Sequence, residues 1–491
     1  MRITFHGGAR SVTGANYLLE HSEIKIMVDC GLNQGTMYAE ELNYKLFEYN
    51  PSEINYVFIT HSHIDHIGRL PKLYKDGFRG KVYTTMATRD LMAVALPDNL
   101  NKIQDEAKEM GHEPLFKQED LDGLMSLVEG VFYGETIELD GITANFHDAG
   151  HILGSAIVEI QWRTNYQLPI TPDSQSESRI LDSAKQNRDN HQAREENFSD
   201  TRKIFFSGDL GNPPTPLLQS TEKIKNADYI VIESAYGDRV HEGREERRSK
   251  LVSVIEDTIR RGGVLMIPSF AVERTQELLY ELNGLFNDKK IPRVPVFVDS
   301  PLANKMTAVY QKHPEYFNKE TIYLINSGDD IFNFPGLKLT STADESKAIN
   351  NVPPPKIIIA GSGMSQGGRI LHHEIRYLPD SNSTILFVGY QVDGSLGRRI
   401  QRGEKEVRIM GQTVPVKCHI ENLSSYSAHA DQPGLLKWVG GSTIEGGGAG
   451  NLKKVFVVQG EDESARTLAN LIHEKYGIEA VAPMEGENFE L

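Results

Sequence analysis

Apolar and polar positions in the first half of the chain follow the short runs that are typical of β-strands. Runs such as "ITFHG", "IKIMVDCG", "YVFITH" and "KIFFSGDLG" each end in Gly, Asp or His. Such runs predict strands, and helical periodicity between them predicts helices at about residues 67–75 and 91–111. Polar residues therefore collect at strand ends, where the loops of α/β proteins build their sites.

A second pattern begins at about residue 239, where helices and strands alternate. The charged segment "EGREERRSKLVSVIEDTIRRGG" predicts a helix, and "VLMIPSF", "KIIIAGSGM" and "TILFVGYQ" predict strands that helices follow. This alternation favours a parallel sheet and a second α/β unit. We therefore predict an α/β protein with a first domain at 1–238, an inserted domain at 239–410 and a return to the first domain at 411–491.

The segment 163–203 differs from its surroundings because it is rich in Ser, Asn, Gln and charged residues and shows little periodicity. Segments of this composition lack the apolar residues needed for a core. We expect it to be a mobile surface insertion in the first domain.

Length and charge narrow the class of protein. The 491 residues exceed what one hydrophobic core usually holds. No apolar run reaches the roughly 18 residues that span a bilayer, and "MRITFHGGARSVTG" lacks the apolar centre of a signal peptide, so we expect a cytoplasmic protein without a membrane contact. The formal charge of −16 argues against broad electrostatic binding of nucleic acid but leaves room for a local basic groove.

Cysteine usage bears on any metal site. The chain has two cysteines, Cys30 and Cys418, far apart in the sequence. A disulfide framework and a thiolate zinc site are both disfavoured. Any metal is therefore expected on histidines and carboxylates.

The stretch "VFITHSHIDHIGRL" places His61, His63, Asp65 and His66 directly after a predicted buried strand. On a continuous helix His61 and His63 would diverge by about 200°, so they converge only in a turn. A loop at a strand end can aim His61 and His63 at one point, and Asp65 and His66 at a second point beside it. This spacing suits two metal ions about 4 Å apart.

Further ligands for such a pair occur after other strands. His151 in "DAGHILGSA" and Asp209 in "FFSGDLGN" are flanked by Gly, and Asp29 in "MVDCG" could hold a ligand or a water molecule in place. Imidazole and carboxylate without sulfur suit catalytic zinc. The alternative, that these are surface or capping residues, is disfavoured because so many ionisable groups at strand ends need a compensating ion.

"HSHIDH" resembles the HxHxDH signature of the metallo-β-lactamase fold, and Asp29, His151 and Asp209 match the fold's other motifs in order. The resemblance implies an αββα sandwich that hydrolyses its substrate at a dinuclear zinc centre. It places the first zinc on His61, His63 and His151, and the second on Asp65 and His66, with Asp209 between the two ions.

Later segments resemble the β-CASP branch of that family, whose members include RNase J and the endonuclease subunit of the eukaryotic messenger-RNA processing complex. The segments are "YIVIESAYGDR", "SSYSAHADQ", "VFVVQGEDESA", "IPSFAVERTQELL", "DSPLA" and "SGMSQGGR". The resemblance implies an inserted β-CASP domain and hydrolysis of phosphodiester bonds in single-stranded RNA. It makes Asp65, Glu233 and His429 the expected catalytic residues, with His429 as general acid and Glu233 orienting its ring.

Candidate phosphate contacts lie in the inserted domain. The Gly-rich turn "AGSGMSQGGR", with Ser362 and Gly363, can present backbone N–H groups to phosphate. Arg274 and Arg399 could follow the RNA backbone. A plain turn and solvated charges are the alternatives, and both stay open.

The last motif departs from the family pattern because Gln459 stands where a histidine normally completes the second metal. A neutral amide is a poor zinc ligand, so we expect the second zinc to bind weakly. Water completing its shell, partial occupancy and low activity are all open. The rival functions are a non-catalytic RNA-binding scaffold and a small-ester hydrolase of the same superfamily. A homodimer or a protein partner also stays open.

Overall fold

The first domain is built on two seven-stranded sheets. The computed structural model describes residues 1–35, 37–164, 201–241, 247–389, 391–392, 394–423, 427–444 and 452–491. The strands of the first sheet are β1 Arg2–Gly7, β2 Asn16–His21, β3 Ile24–Val28, β4 Tyr56–Phe58, β5 Lys81–Thr85, β6 Val128–Val131 and β22 Asn488–Glu490. They are arranged in the order β22-β1-β2-β3-β4-β5-β6.

The second sheet has the order β21-β20-β11-β10-β9-β8-β7. Its strands are β7 Ile137–Leu139, β8 Ile142–Asp148, β9 Ala156–Arg163, β10 Thr201–Phe206, β11 Tyr229–Glu233, β20 Lys454–Val458 and β21 Glu479–Val481. Strands β10, β11 and β20 run parallel, and β8 and β10 both pair antiparallel with β9. The carboxyl ends of β8, β10, β11 and β20 therefore lie at one edge of the sheet.

Apolar side chains from the facing sides of the two sheets form a buried core. Alternate residues of β1, Ile3 and Phe5, are fully buried, in keeping with the period of two along a strand. The aromatic members of this core are Phe5, Tyr17, Phe58, Tyr83, Phe146, Trp162, Phe206, Tyr229 and Phe456.

Helices cover the outer faces of both sheets. Helices α1 to α5 follow strands of the first sheet, and the last two helices of the chain pack on the second sheet. Their bounds are α1 Met37–Glu41, α2 Ile64–Ile67, α3 Leu70–Lys75, α4 Met86–Met110, α5 Gln118–Met125, α13 Gln432–Ile444 and α14 Asp462–Tyr476. The order helix, sheet, sheet, helix confirms the predicted αββα sandwich.

The inserted part of the chain forms a third sheet whose strand pairs are all parallel. Its strands, in the order β14-β13-β15-β12-β16-β19, are β12 Val264–Pro268, β13 Val296–Asp299, β14 Leu337–Leu339, β15 Lys356–Ala360, β16 Thr384–Phe387 and β19 His419–Asn422. A separate hairpin joins β17 Glu406–Ile409 to β18 Gln412–Pro415. The helices are α6 Arg247–Arg260, α7 Arg274–Asn287, α8 Pro301–Lys312, α9 Lys319–Asn326, α10 Ala343–Ala348, α11 Ile370–Tyr377 and α12 Leu396–Gln401.

Two expected boundaries differ from the structure. Strand β19 pairs with β16 in the third sheet, so this block continues to Asn422 and not to 410. Strand β19 is only four residues long, and its pairing with β16 is what assigns it to the third sheet. Likewise Thr201 to Lys203 are strand residues that pair with β9, so the expected insertion 163–203 is shorter, and its residues 165–200 lie outside the described part of the chain.

No helix in the described ranges is both long and apolar enough to cross a membrane.

Candidate metal centre

The candidate residues meet at one edge of the sandwich because they follow strands whose carboxyl ends point the same way. In the first sheet Asp29 follows β3 and His61 comes shortly after β4, which runs parallel to β3. In the second sheet His151, Asp209 and Gln459 follow β8, β10 and β20, while Glu233 is the last residue of β11. Two stacked sheets thus contribute ligands to one cleft.

The loop that carries the histidine cluster is fixed by its backbone. His63 is the N-cap of α2, and its carbonyl accepts from the N–H groups of His66 and Ile67. The neighbouring segment holds the loop from outside, since the Ala15 N–H donates to the Asp65 carbonyl at 3.0 Å and the Cys30 N–H to the His66 carbonyl at 2.8 Å. The structure therefore contains the turn that lets the side chains of His61 and His63 converge.

Three histidines and one aspartate converge on a first position. Nε2 of His61 lies 3.0 Å from Nδ1 of His63, and Nε2 of His151 lies 3.3 Å from the same atom. Oδ2 of Asp209 is 3.3 Å from Nε2 of His61 and 3.4 Å from Nε2 of His151. All four donor atoms lie within 4.8 Å of one another.

A second position lies on the other side of Asp209. Its Oδ1 is 3.4 Å from Nε2 of His66, and Oδ2 of Asp65 is 3.9 Å from the same ring nitrogen. One carboxylate thus has an oxygen toward each group of ligands. The structure thus brings Asp65 and His66 together beside Asp209, next to the first group.

Asp29 and Thr60 orient the rings from behind. Oδ2 of Asp29 lies 2.7 Å from Nδ1 of His66, and the buried carboxylate also accepts from the Thr60 N–H and hydroxyl. The Thr60 hydroxyl is 3.0 Å from Nδ1 of His61. Asp29 therefore holds a ligand, one of the two roles expected for it, whereas the sequence analysis missed Thr60, whose signal is its place directly before the motif. Such partners fix which ring nitrogen faces a metal.

Burial sets the charge of the first group of ligands. It lowers the pKa of His61, His63 and His151, so these rings are neutral and offer lone pairs at neutral pH. Burial alone would raise the pKa of Asp209, but the imidazoles of His66, His61 and His429 lower it well below its usual value. A site of neutral imidazoles beside a carboxylate fits a divalent cation, and these residue types fit zinc.

A histidine–glutamate pair stands beside this group of ligands. Nδ1 of His429 is 3.1 Å from Oε2 of the fully buried Glu233 and 3.9 Å from Oδ2 of Asp209. The Leu210 N–H fixes the Glu233 carboxylate at 2.6 Å. Burial opposes protonation of His429, but the carboxylates of Glu233 and Asp209 raise its pKa to about 9.

The loop of His429 also touches the first group of ligands through its backbone. The carbonyl of Ala428 lies 3.2 Å from Nδ1 of His151. Sequence analysis missed this contact because a backbone carbonyl leaves no residue-type signal. The general-acid candidate and a metal ligand are therefore positioned by the same loop.

Gln459 faces the second position. Its side chain is 4% exposed, and its Nε2 lies 2.7 Å from Nε2 of His66. Its backbone N–H donates to the carbonyl of Gly8, directly after β1, at 2.7 Å, and this bond anchors the residue beside His66.

The candidate phosphate contacts are less available than expected. Arg274 is buried, and its guanidinium pairs with Glu277 one turn later, so it does not present its charge to a cleft. Arg399 pairs with Glu404 at 2.7 Å. In the Gly-rich turn the Ser362 N–H donates to the Gly367 carbonyl, and a side chain at Gly363 would meet the ring of Phe270 at 2.7 Å. Arg274 and the Gly-rich turn thus make these contacts within the protein, whereas the Arg399 side chain is 41% exposed and stays a candidate phosphate contact.

The αββα sandwich and the His/Asp cluster at its edge define a metallo-hydrolase. Three parts of the chain match known families. Residues 18–199 match the metallo-beta-lactamase superfamily domain, residues 275–400 the Beta-Casp domain, and residues 413–483 the Zn-dependent metallo-hydrolase RNA specificity domain.

Curated relatives align over nearly the whole chain. Ribonuclease TTHA0252 of Thermus thermophilus is 35% identical over 472 residues, covering 96% of this chain and 96% of the relative. The transcription termination factor FttA of Methanosarcina mazei is 29% identical over 497 residues, 98% of this chain and 70% of the relative. A crystal structure of a protein of unknown function from Enterococcus faecalis V583 shares the fold, with a TM-score of 0.53 and 13% identity over 100% of this chain and 99% of that one.

The chain therefore belongs to the β-CASP branch of the metallo-β-lactamase superfamily, a family of zinc-dependent metallo-hydrolases that process RNA. This confirms the family and the class of enzyme expected from the motifs, a metal-dependent hydrolase.

Proposed function

We propose that this protein is a zinc-dependent ribonuclease that hydrolyses phosphodiester bonds in single-stranded RNA. The observation that carries the proposal is the meeting of two groups at Asp209: the three converging imidazoles of the first position, and the ring of His429 backed by Glu233. The name and 35% identity of the Thermus thermophilus ribonuclease support RNA as the substrate.

Two zinc ions are the proposed metal content. His61, His63, His151 and Asp209 would hold the first, and Asp65, His66 and Asp209 the second. The placement of the two Asp209 oxygens toward different ligand groups supports this division. The second ion is the weaker one because Gln459 replaces a better ligand there.

Zinc bound in such a centre supplies a Lewis acid for the phosphate and activates water for the attack. The chain's own residues place the substrate and manage protons around that chemistry. His429 is proposed to protonate the leaving oxygen, because its ring is held charged by the carboxylates of Glu233 and Asp209. Glu233 fixes the ring through Nδ1, which leaves Nε2 to deliver the proton.

Asp65 is proposed to serve both binding and catalysis. Its carboxylate is the part of the second group of ligands that is least enclosed, with 20% of the side chain exposed beside the fully buried His66. It is therefore the acidic group at this position that a substrate can reach.

The cellular setting follows from the substrate. The relatives are named as a ribonuclease and as a transcription termination factor, and we propose the cytoplasm as the setting in which this chain meets RNA.

The test is incubation of zinc-supplemented protein with end-labelled single-stranded RNA, resolved on a gel, with Asp65→Ala and His429→Ala in parallel. Fragments made by the wild type and lost in both variants are expected. RNA that is bound but left intact by folded, zinc-loaded protein would contradict the proposal in favour of a scaffold. Turnover of a chromogenic ester with intact RNA would favour a small-ester hydrolase.

A further inference from the structure

The loop 148–155, which carries His151, satisfies its own N–H groups from within. The Gly150 N–H donates to Oδ1 of Asp148 at 2.8 Å. The N–H groups of His151 and Ile152 both donate to the Ser155 hydroxyl, at 3.0 and 3.2 Å. This internal network fixes the shape of the loop but does not by itself fix its place relative to the other ligands.

Leu153 differs, because its acceptor comes from the inserted domain. Its N–H donates to the hydroxyl of Tyr310 in α8 at 3.2 Å. The same hydroxyl donates to Oε2 of Glu273, which lies directly before α7, at 2.5 Å. Two successive hydrogen bonds thus connect Glu273 and Tyr310 of the inserted domain to the backbone of Leu153. Leu153 is two residues from the candidate metal ligand His151.

The side chains that make these two hydrogen bonds are buried, so losing either bond would leave a buried polar group without a partner. Tyr310 is fully buried and Glu273 is 3% exposed. Within the described residues the other oxygen of Glu273, Oε1, has no hydrogen-bond partner, so the bond from Tyr310 satisfies an oxygen of a carboxylate that is only half satisfied. Glu273 also has a positive φ of 64°, a conformation that a residue of its kind keeps only when the surroundings enforce it.

Neighbouring contacts hold α8 firmly against the sandwich. Asp90 in α4 accepts from His313, just beyond α8, at 2.9 Å, and it also pairs with Lys312. Tyr310 is therefore a fixed point from which the loop of His151 can be positioned.

We propose that Tyr310 and Glu273 are positioning residues for the zinc ligand His151. They set the place of the loop through Leu153, so that the inserted domain helps to build the first metal position. The inference concerns the metal centre of the proposed ribonuclease and rests on that function only for its kinetic readout.

The experiment compares Tyr310→Phe with wild type by three measurements: zinc affinity in competition with a chelator, amide hydrogen exchange of the peptide 150–156, and kcat and KM on RNA. Loss of the hydroxyl is expected to lower the zinc affinity of the first position by about tenfold. This is the lower end of the effect that residues supporting a metal ligand usually have. Exchange of the peptide should become faster, and kcat should fall with KM nearly unchanged.

Tyr476→Phe is the matched control. The Tyr476 hydroxyl also donates to a backbone group, the Leu436 carbonyl at 2.7 Å, but between α13 and α14 on the far face of the second sheet. It removes a hydrogen bond of the same kind, so it reports any general loss of stability. Equal zinc affinity and equal exchange in the two variants would overturn the proposal.

Substitutions at Glu273 give an independent test, which can be used even if the Tyr310→Phe protein does not fold. Glu273→Gln keeps an oxygen for the Tyr310 hydroxyl and should bind zinc within about twofold of wild type, whereas Glu273→Ala should resemble Tyr310→Phe. Equal zinc affinity in the two Glu273 variants would refute the role. Because zinc binding is measured without RNA, absence of RNA cleavage by the wild type would count against the proposed function alone.

Discussion

Nε2 of Gln459 lies 2.7 Å from Nε2 of His66, the ring nitrogen that faces the second metal position. Whichever way the amide is turned, this contact engages the nitrogen that an ion there would need. Nδ1 of the same ring is already held by Asp29. The glutamine therefore occupies the nitrogen of His66 that the proposed second zinc would need.

Gln459→His is expected to raise the zinc content. A histidine at this position replaces a competing amide with a ligand, and a positive φ of 47° is one that histidine tolerates better than most residues. After dialysis against a weak chelator, elemental analysis should give close to one zinc per chain for wild type and close to two for the variant. Gln459→Met, which removes the amide without adding a ligand, is the control. Equal zinc content in Gln459→His and wild type would contradict this role of Gln459.

Asp209→Ala is expected to abolish hydrolysis and to remove both zinc ions. Its Oδ2 lies beside His61 and its Oδ1 beside His66, so the substitution takes a carboxylate oxygen from both groups of ligands. Elemental analysis and the RNA gel assay measure the two effects. Asp105→Ala, on the exposed face of α4, is the matched control and should keep both properties. Full activity of Asp209→Ala would end the dinuclear assignment.

Glu233→Gln is expected to reduce kcat without removing zinc. The neutral amide can no longer hold the His429 ring charged, and general acid catalysis usually contributes about 10²-fold to 10⁴-fold in rate. His429→Ala should lose a similar factor, and the double variant should lose little more, because the two residues act as one unit. Multiplicative losses in the double variant would show that they act separately.

Gly31→Ala is expected to disturb the metal loop. A Cβ at this position would lie 1.4 Å from the Asp65 carbonyl oxygen, so the backbone of the histidine cluster would have to move. Lower zinc affinity and a thermal midpoint reduced by several degrees should follow. Gly441→Ala, a helical glycine with open space around its Cα, should leave both values near those of wild type.

His147 predicts a pH dependence of stability away from the centre. Burial would lower its pKa, but the carboxylates of Glu159 and Glu222 raise it to about 9. A pKa raised in the folded state contributes stability that is complete below the unfolded value near 6.5 and is lost as the pH rises through about 9.

Urea unfolding at about pH 6 and at about pH 9.5 measures this contribution. The wild type should lose that stability relative to His147→Gln as the pH rises. Parallel pH profiles for the two proteins would show that the pair of carboxylates does not stabilise the charged ring.

Sequence reasoning predicted the residues of the centre because metal chemistry restricts residue type. His61, His63, Asp65 and His66 fall in one short turn after a strand, and no other common use of that turn needs four ionisable groups. The αββα sandwich followed from the same motif. The replacement of the usual histidine by Gln459 was also visible in the sequence, because it changes the residue type at a motif position.

Sequence reasoning was less successful where a residue's role depends on its partner. Arg274 has the charge expected of a phosphate contact, yet it is buried against Glu277. Strand β19 was expected in the first domain, yet it pairs with β16 in the third sheet. The charge of a residue and the alternation of a strand are local properties. The ion pair or neighbouring strand that each one finds depends on how the chain folds.

The sequence by itself determined the donor atoms, the order of the motifs and the period of each strand, since these are set by residue type and spacing along the chain. The tertiary structure alone decided that the two oxygens of Asp209 face different groups of ligands, that Gln459 reaches His66, and that the Leu153 N–H in the loop of His151 donates to Tyr310. Each of these joins residues 58 to 393 positions apart. Such distances are fixed by how the sheets and the inserted domain pack, and nothing in the local sequence records them.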